Sequence, residues 1–267
     1  MSHLGSPPAA PAHALPFIGP RTALFLDFDG TLVDIAAQPE AVQVPPDLRQ
    51  TLKVLRARLN GALAIVSGRP LIDLDGFLEP LQLPTAAEHG AQRRLAGGKI
   101  TRLASPDLHA VIRQVTALAQ RDPGLRVEVK SAGVALHYRH APELAPVCLQ
   151  AMTELVSTAP GLELLHGKCV LEIKPVGIDK GAAIADFMAQ TPFAGRMPLF
   201  AGDDMTDETG FAVVQQRGGC GIKVGEGATG ALCRCASPAA LRQWLQLACQ
   251  KPALPPAPGP IQTGDQP

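Results

Sequence analysis

Leu24, Phe25 and Leu26 are followed at once by Asp27, Phe28, Asp29, Gly30 and Thr31. So continuous an apolar run reads as a strand covered on both faces, the mark of a parallel sheet with helices on either side. Gly30-Thr31 marks the point where the chain turns away. The two carboxylates therefore stand at the carboxyl edge of a buried strand, where open parallel sheets bind ligands. A rigid strand can hold them towards a cation or a phosphate. They can equally serve as a strand-end cap or an Asx turn, and only the rest of the chain decides between these roles.

Downstream, Leu48, Leu52, Leu55 and Leu59 recur at helical spacing after Pro45-Pro46, and Ala62 to Val66 forms a second apolar strand ending in Ser67-Gly68-Arg69. Strand, helix, strand implies a right-handed parallel crossover. The texture changes near residue 103. A helical pattern from Asp107 to Arg121 leads into RVEVKSAGVALHYR, where Ser131-Ala132-Gly133 reads as a turn between two strands. A second helix, with Leu144, Cys148, Met152 and Leu155, precedes the hairpin LELLHGKCVLEIK. Helix, hairpin, helix, hairpin predicts an antiparallel sheet with two helices on one face. The first texture then returns: a helix from about Lys180 to Ala189, the strand MPLFAGDD, the strand GGCGIKVG, and a closing helix capped by Ser237-Pro238. The predicted fold is α/β: a parallel-sheet, Rossmann-like core over 21–102 and 177–250, with an inserted α+β cap domain over 103–176. Pro-rich tails over 1–20 and 251–267 are expected to be disordered.

Composition narrows the partners. Lys plus Arg and Asp plus Glu are both 24, so no global field favours nucleic acid or a membrane surface, and an anionic ligand must be attracted locally. No stretch reaches membrane-span length, and the start lacks the basic and apolar regions of a secretory signal, so a cytoplasmic location is expected. Six cysteines scattered through 267 residues fit reduced thiols, and Cys233-x-Cys235, with no second pair or histidine cluster, fits packing better than zinc. A monomer is expected.

Four element ends carry apt chemistry: Asp27 and Asp29; Ser67; Lys180; and Asp203 and Asp204 with Asp207 following. Edges of one parallel sheet converge in space. Converging carboxylates repel and raise one another's pKa unless a hard cation joins them, which implies magnesium, an ion that prefers oxygen ligands. Ser67 and Lys180 suit phosphate oxygens. A carboxylate such as Asp27 can then attack phosphorus, while Asp29 protonates the leaving oxygen if the chain leaves extended geometry at Phe28.

DFDGTL at Asp27 to Leu32, VSGR at Val66 to Arg69, DKG at Asp179 to Gly181 and GDDMTDE at Gly202 to Glu208 resemble, in order, the four motifs of the haloacid dehalogenase phosphatases. With EHG at Glu88 to Gly90, HYR at His137 to Arg139 and LEIKP at Leu171 to Pro175, the chain from Thr22 to Gln250 resembles the trehalose-6-phosphate phosphatase family. The resemblance implies Asp27 as nucleophile, Asp29 as general acid and base, and Ser67 and Lys180 as phosphate ligands. Magnesium would be held by Asp27, the main-chain carbonyl of Asp29, and Asp203. Asp207 would support that shell, and Asp204 would be either an outer carboxylate or a helix cap. The substrate would be a small sugar phosphate. Glu128 and Lys130 share a strand face by period two, and with Glu172 they can hydrogen-bond sugar hydroxyls or be the polar face of a half-solvated sheet. Arg69, beside Ser67, can reach the phosphate or the sugar or form a surface ion pair; His89, His137 and Arg139 are further candidates, as ligands or as structural hydrogen-bonders. The rival readings are a related capped phosphatase acting on a glucosyl- or mannosyl-phosphoglycerate, and a non-catalytic sugar-phosphate sensor.

Overall fold

The computed structural model describes residues 14–36, 38–103 and 107–250. The tail predicted over 251–267, and residues 1–13 of the one predicted over 1–20, lie outside the described residues. Residues 14–20 pack on the core: Ile18 is buried, and the Pro16 carbonyl accepts a hydrogen bond from Trp244 Nε1 at 3.2 Å.

Strand β1 (Thr22–Leu26) is buried along its whole length. Helix α1 (Leu48–Arg58) buries Leu48, Leu52 and Leu55 at the predicted spacing and leads into β2 (Leu63–Val66). Next come α2 (Leu71–Leu78), β3 (Thr85–Ala87), β4 (Gln92–Arg94) and β5 (Ile100–Arg102). The chain then forms α3 (His109–Ala119), β6 (Arg126–Val129), β7 (Val134–His137), α4 (Ala145–Ser157), β8 (Leu162–Gly167) and β9 (Val170–Pro175). It closes with α5 (Lys180–Met188), β10 (Met197–Gly202), α6 (Glu208–Gln216), β11 (Cys220–Val224), β12 (Cys233–Cys235) and α7 (Pro238–Gln250).

The expected α/β core with a separate antiparallel sheet is what these elements build. The larger sheet has the order β12-β11-β10-β1-β2-β3-β4-β5, parallel from β12 to β3 and antiparallel at β4 and β5. Because β1 pairs with β2 on one side and β10 on the other, the chain order reverses at β1 and opens a crevice at its carboxyl end. Behind β1, Phe25 stacks on Phe193 at 5.3 Å and meets Phe187 at 6.1 Å, and burying such a ring stabilises by roughly 1.5–3 kcal/mol. The antiparallel β4–β5 extension is absent from the sequence reading, because strands of three residues leave no period to detect.

The second sheet has the order β6-β7-β9-β8. Val134, Leu136, Leu171 and Ile173 pack against Val111 and Val115 of α3 and Cys148 and Met152 of α4. Side chains alternate along a strand, so the intervening positions face the other way. The register sets Glu128 beside Ala135 and Ala135 beside Glu172, which puts both carboxylates on the face away from the helices.

Candidate active site

Asp27 is the first residue beyond β1. Its backbone N–H donates to the Ala201 carbonyl at 2.9 Å, so the main chain is still held by the sheet where the side chain emerges. Asp27 Oδ1 accepts from Lys180 Nζ at 2.8 Å and Oδ2 from Thr31 Oγ1 at 3.1 Å. The chain then leaves extended geometry: the amides of Leu32 and Val33 both donate to the Phe28 carbonyl, at 2.9 and 3.0 Å. Gly30 adopts φ +72°, and a Cβ there would lie 2.1 Å from Asp203 Oδ2, so only glycine lets this turn and Asp203 share the space.

Lys180 opens α5, whose N-cap Asp179 accepts from the Ala182 amide at 2.9 Å. Its ammonium is buried between Asp27 and Asp207 and donates to Asp207 Oδ1 at 2.7 Å. The other oxygen of Asp207 accepts from the amides of Asp203 and Asp204, each at 3.0 Å, which fixes the loop after β10. Asp204 Oδ1 accepts from the Thr206 amide and hydroxyl, at 2.8 and 2.6 Å, and so caps the turn that follows β10. Ser67 is buried at the end of β2, with its Oγ accepting from the Arg69 amide at 3.2 Å.

The charges are unbalanced. Burial, with repulsion from Asp203 and Asp204, pushes the Asp27 carboxyl up to about 7 against the pull of Lys180. Burial, then Asp204 and Asp207, push Asp203 up to about 7 as well. Burial alone would lower the Lys180 ammonium, yet Asp207 and Asp27 together raise it. Two buried cations, Lys180 and Lys223, whose ammonium donates to the Asp203 carbonyl, thus face the four carboxylates of Asp27, Asp203, Asp204 and Asp207. Oxygens of Asp27, Asp203 and Asp207 lie within 4.8 Å of one another, an all-oxygen set that fits a hard divalent ion such as magnesium. Asp207 is the least available of the three, since Lys180 and two amides already use both its oxygens.

The expected neighbours of this cluster are also brought in. Asp29 is gripped by Arg69, Nε to Oδ2 at 2.6 Å and Nη2 to Oδ1 at 2.8 Å, while the guanidinium lies 4.9 Å from the Phe77 ring centroid. A cavity of about 460 Å3 separates the two sheets, with Asp27, Ser67 and Lys180 on one wall and Glu128, Lys130 and Glu172 on the other. Lys130 donates to Glu172, and Glu128 lies 2.9 Å from His137 Nε2. Burial opposes ionisation of Glu172, but Lys130 and His89 hold its carboxyl below the usual range. His89 Nε2 is 3.5 Å from Glu172, and its burial lowers the imidazole pKa despite that carboxylate. Arg139 also lines the cavity, with Nη2 donating to the Lys168 carbonyl at 3.4 Å. Arg126 of β6 lines the cavity too and pairs with exposed Glu40. Two further residues hold the site together: Thr31, at the turn after β1, bonds the Asp27 carboxylate, and Glu88, of the EHG motif, bonds the β6–β7 turn. The sequence signal for Glu88 is a charged residue directly after an apolar strand end.

A switch-point cleft in a parallel sheet, with paired aspartates at its edge and an antiparallel sheet roofing it, is the arrangement of a phosphatase. Its fold is shared by a Bacteroides thetaiotaomicron phosphatase of the haloalkanoate (HAD) superfamily, with a TM-score of 0.58 at 15% identity over 88% of this chain and 98% of that one. The family model described as trehalose-phosphatase matches residues 25–232, and the chain belongs to that family. It is 42% identical to the trehalose-6-phosphate phosphatase of Escherichia coli (strain K12) over 242 residues, 89% of this chain and 90% of that protein. It also matches the crystal structure of a trehalose-6-phosphate phosphatase related protein, with a TM-score of 0.72 at 29% identity over 85% of this chain and 96% of that one.

Proposed function

We propose that this phosphatase hydrolyses trehalose 6-phosphate to trehalose and inorganic phosphate, the last step of trehalose biosynthesis, through a phosphoaspartate on Asp27. The observation that carries the reading is a buried Asp27–Lys180–Asp207 array facing Glu128, Lys130 and Glu172 across one cavity. Asp27 attacks phosphorus, and Asp29 gives a proton to the departing sugar oxygen as the bridging P–O bond breaks. Asp29 then takes a proton from water, whose oxygen attacks phosphorus and frees Asp27. Lys180 and Ser67 hold the phosphoryl oxygens throughout. Magnesium, held by Asp27, the Asp29 carbonyl and Asp203, would supply positive charge to the same oxygens. Both Asp29 oxygens are bonded to Arg69 here, so that guanidinium must turn aside before Asp29 reaches a leaving group.

Residues 103–176 act as the cap, and closure keeps bulk water from the phosphoryl group. Glu128, Lys130 and Glu172 offer charged hydrogen-bonding groups to sugar hydroxyls, with Arg69 and His89 at the join between sugar and phosphate. We take the enzyme to act as a cytoplasmic monomer on this small substrate, where six unpaired thiols remain reduced.

The test is phosphate release across trehalose 6-phosphate, glucose 6-phosphate and glucosyl- and mannosyl-phosphoglycerate-type substrates, with magnesium and with chelator. Trehalose 6-phosphate should be preferred, and chelator should abolish turnover. Asp27→Asn should lose turnover and fluoroaluminate trapping while unfolding like the parent. A preference for another sugar phosphate overturns the substrate, and turnover by Asp27→Asn without deamidation overturns the covalent route.

A further inference from the structure

Glu88 is buried at 5% exposure and lies outside the set of residues lining the catalytic cavity. Its carboxylate is nevertheless fully engaged, and by the second sheet. The Ser131 amide donates to Oε1 at 3.1 Å and to Oε2 at 3.0 Å, the Ser131 hydroxyl donates to Oε2 at 2.5 Å, and the Ala132 amide donates to Oε2 at 3.3 Å. All these donors belong to the tight turn between β6 and β7. An ionised acceptor in a buried site makes such bonds stronger than neutral ones.

The backbone of the same residue is tied to the phosphate end. The Glu88 amide donates to the Arg69 carbonyl at 2.9 Å, and the His89 amide donates to the Ser67 carbonyl at 2.9 Å. Glu88 and His89 hold φ of 48° and 58°, a left-handed pair of non-glycine residues that persists only where surrounding contacts over-determine it. Lys130, immediately before the clasped turn, pairs with Glu172, and His89 lies against Glu172 from below. One short segment therefore grips the Ser67–Arg69 loop with its main chain, and the β6–β7 turn and strand β9 with its side chains.

We propose that Glu88 is a positioning residue: by clasping the β6–β7 turn it sets Lys130 and Glu172 at a fixed height over Ser67, and so decides selectivity for a disaccharide phosphate without touching it. This rests on the substrate reading above. A small phosphate that never reaches the cap wall is indifferent to the clasp, whereas a disaccharide needs both ends of the cavity in register. Misplacing a binding group by about 1 Å costs on the order of a hundredfold in rate.

The experiment is a double-mutant cycle of Glu88→Ala and Ser131→Ala, with magnesium present, reading kcat and KM for trehalose 6-phosphate and for p-nitrophenyl phosphate. Glu88→Ala should lower kcat/KM for the disaccharide roughly thirtyfold to a hundredfold. Ser131→Ala should lower it roughly tenfold, as for one lost bond to a charged group. The double variant should be no worse than Glu88→Ala, and p-nitrophenyl phosphate turnover should stay within about threefold in all three. Glu88→Gln, which keeps one acceptor oxygen, should recover part of the loss, and it carries the cycle if Glu88→Ala does not fold. Equal losses on both substrates would make Glu88 a plain structural residue and overturn the proposal. Multiplicative losses would make it a direct sugar ligand, and unchanged kinetics would remove any role; each overturns it too. The parent enzyme's substrate panel separates this from the substrate reading. If another sugar phosphate is preferred, the substrate assignment fails and the cycle is read on that compound, where missing coupling sinks the clasp.

Discussion

Asp27 shows how much a single position depends on its surroundings. Its sequence context, a buried strand end, places the carboxylate, but its charge is set by burial, by Lys180 153 residues further on, and by Asp203 and Asp204. His89 carries the clearest pH dependence at this scale. Burial lowers its pKa in the fold, with Glu172 attracting the charged form and Lys130 and Lys180 repelling it. Below about 6.5 the unfolded chain takes up a proton that the native imidazole refuses, so stability falls as pH drops through that range. His89→Asn removes the titrating group and tolerates the positive φ at this position. Denaturant unfolding between pH 7 and pH 5 should show a shallower loss for His89→Asn than for the parent. Parallel slopes would mean that the imidazole takes up its proton as readily in the fold as in the unfolded chain.

Among the elements, α5 has the most direct link to chemistry, because its first residue is Lys180 and its N-cap is Asp179. The cap bond from the Ala182 amide secures the turn that aims the ammonium, while Ala183, Ile184 and Phe187 bury the helix against the sheet. Replacing such a cap by Ala costs about 1 kcal/mol. Asp179→Ala should therefore lower stability by that amount in denaturant unfolding, and it should lower kcat more than KM, since Lys180 serves the transferring group. A loss of stability with unchanged kcat would show that Lys180 is held by Asp27 and Asp207 alone. The second sheet makes a parallel point. Its helices bury Val134, Leu136, Leu171 and Ile173, and that apolar choice forces Glu128 and Glu172 onto the cavity side.

At the scale of the whole molecule, the two sheets and the excess of carboxylates between them predict a ligand-linked stability. A cation bound by the native state alone stabilises by about 2.7 kcal/mol at a hundred times its dissociation constant. Magnesium should therefore raise the unfolding temperature of chelator-treated protein, and Asp203→Asn should remove most of the shift. An equal shift in Asp203→Asn would place the ion elsewhere.

The sequence by itself determined the parallel core, the antiparallel insert and the edge positions of Asp27, Ser67, Lys180 and Asp203. Periodicity and strand ends are local properties, and each of these residues sits at the end of a strand or helix long enough to read. It did not determine β4, β5 or β12, whose three residues apiece carry no period and form only because a neighbouring strand offers a ladder. Only the tertiary structure decided that Arg69 grips Asp29, that Asp204 caps its own turn while Asp207 braces Lys180, and that Glu88 reaches the β6–β7 turn 43 residues away. Hydrogen-bond partners are chosen by which groups share a buried space, and that choice exists only once the sheets have met.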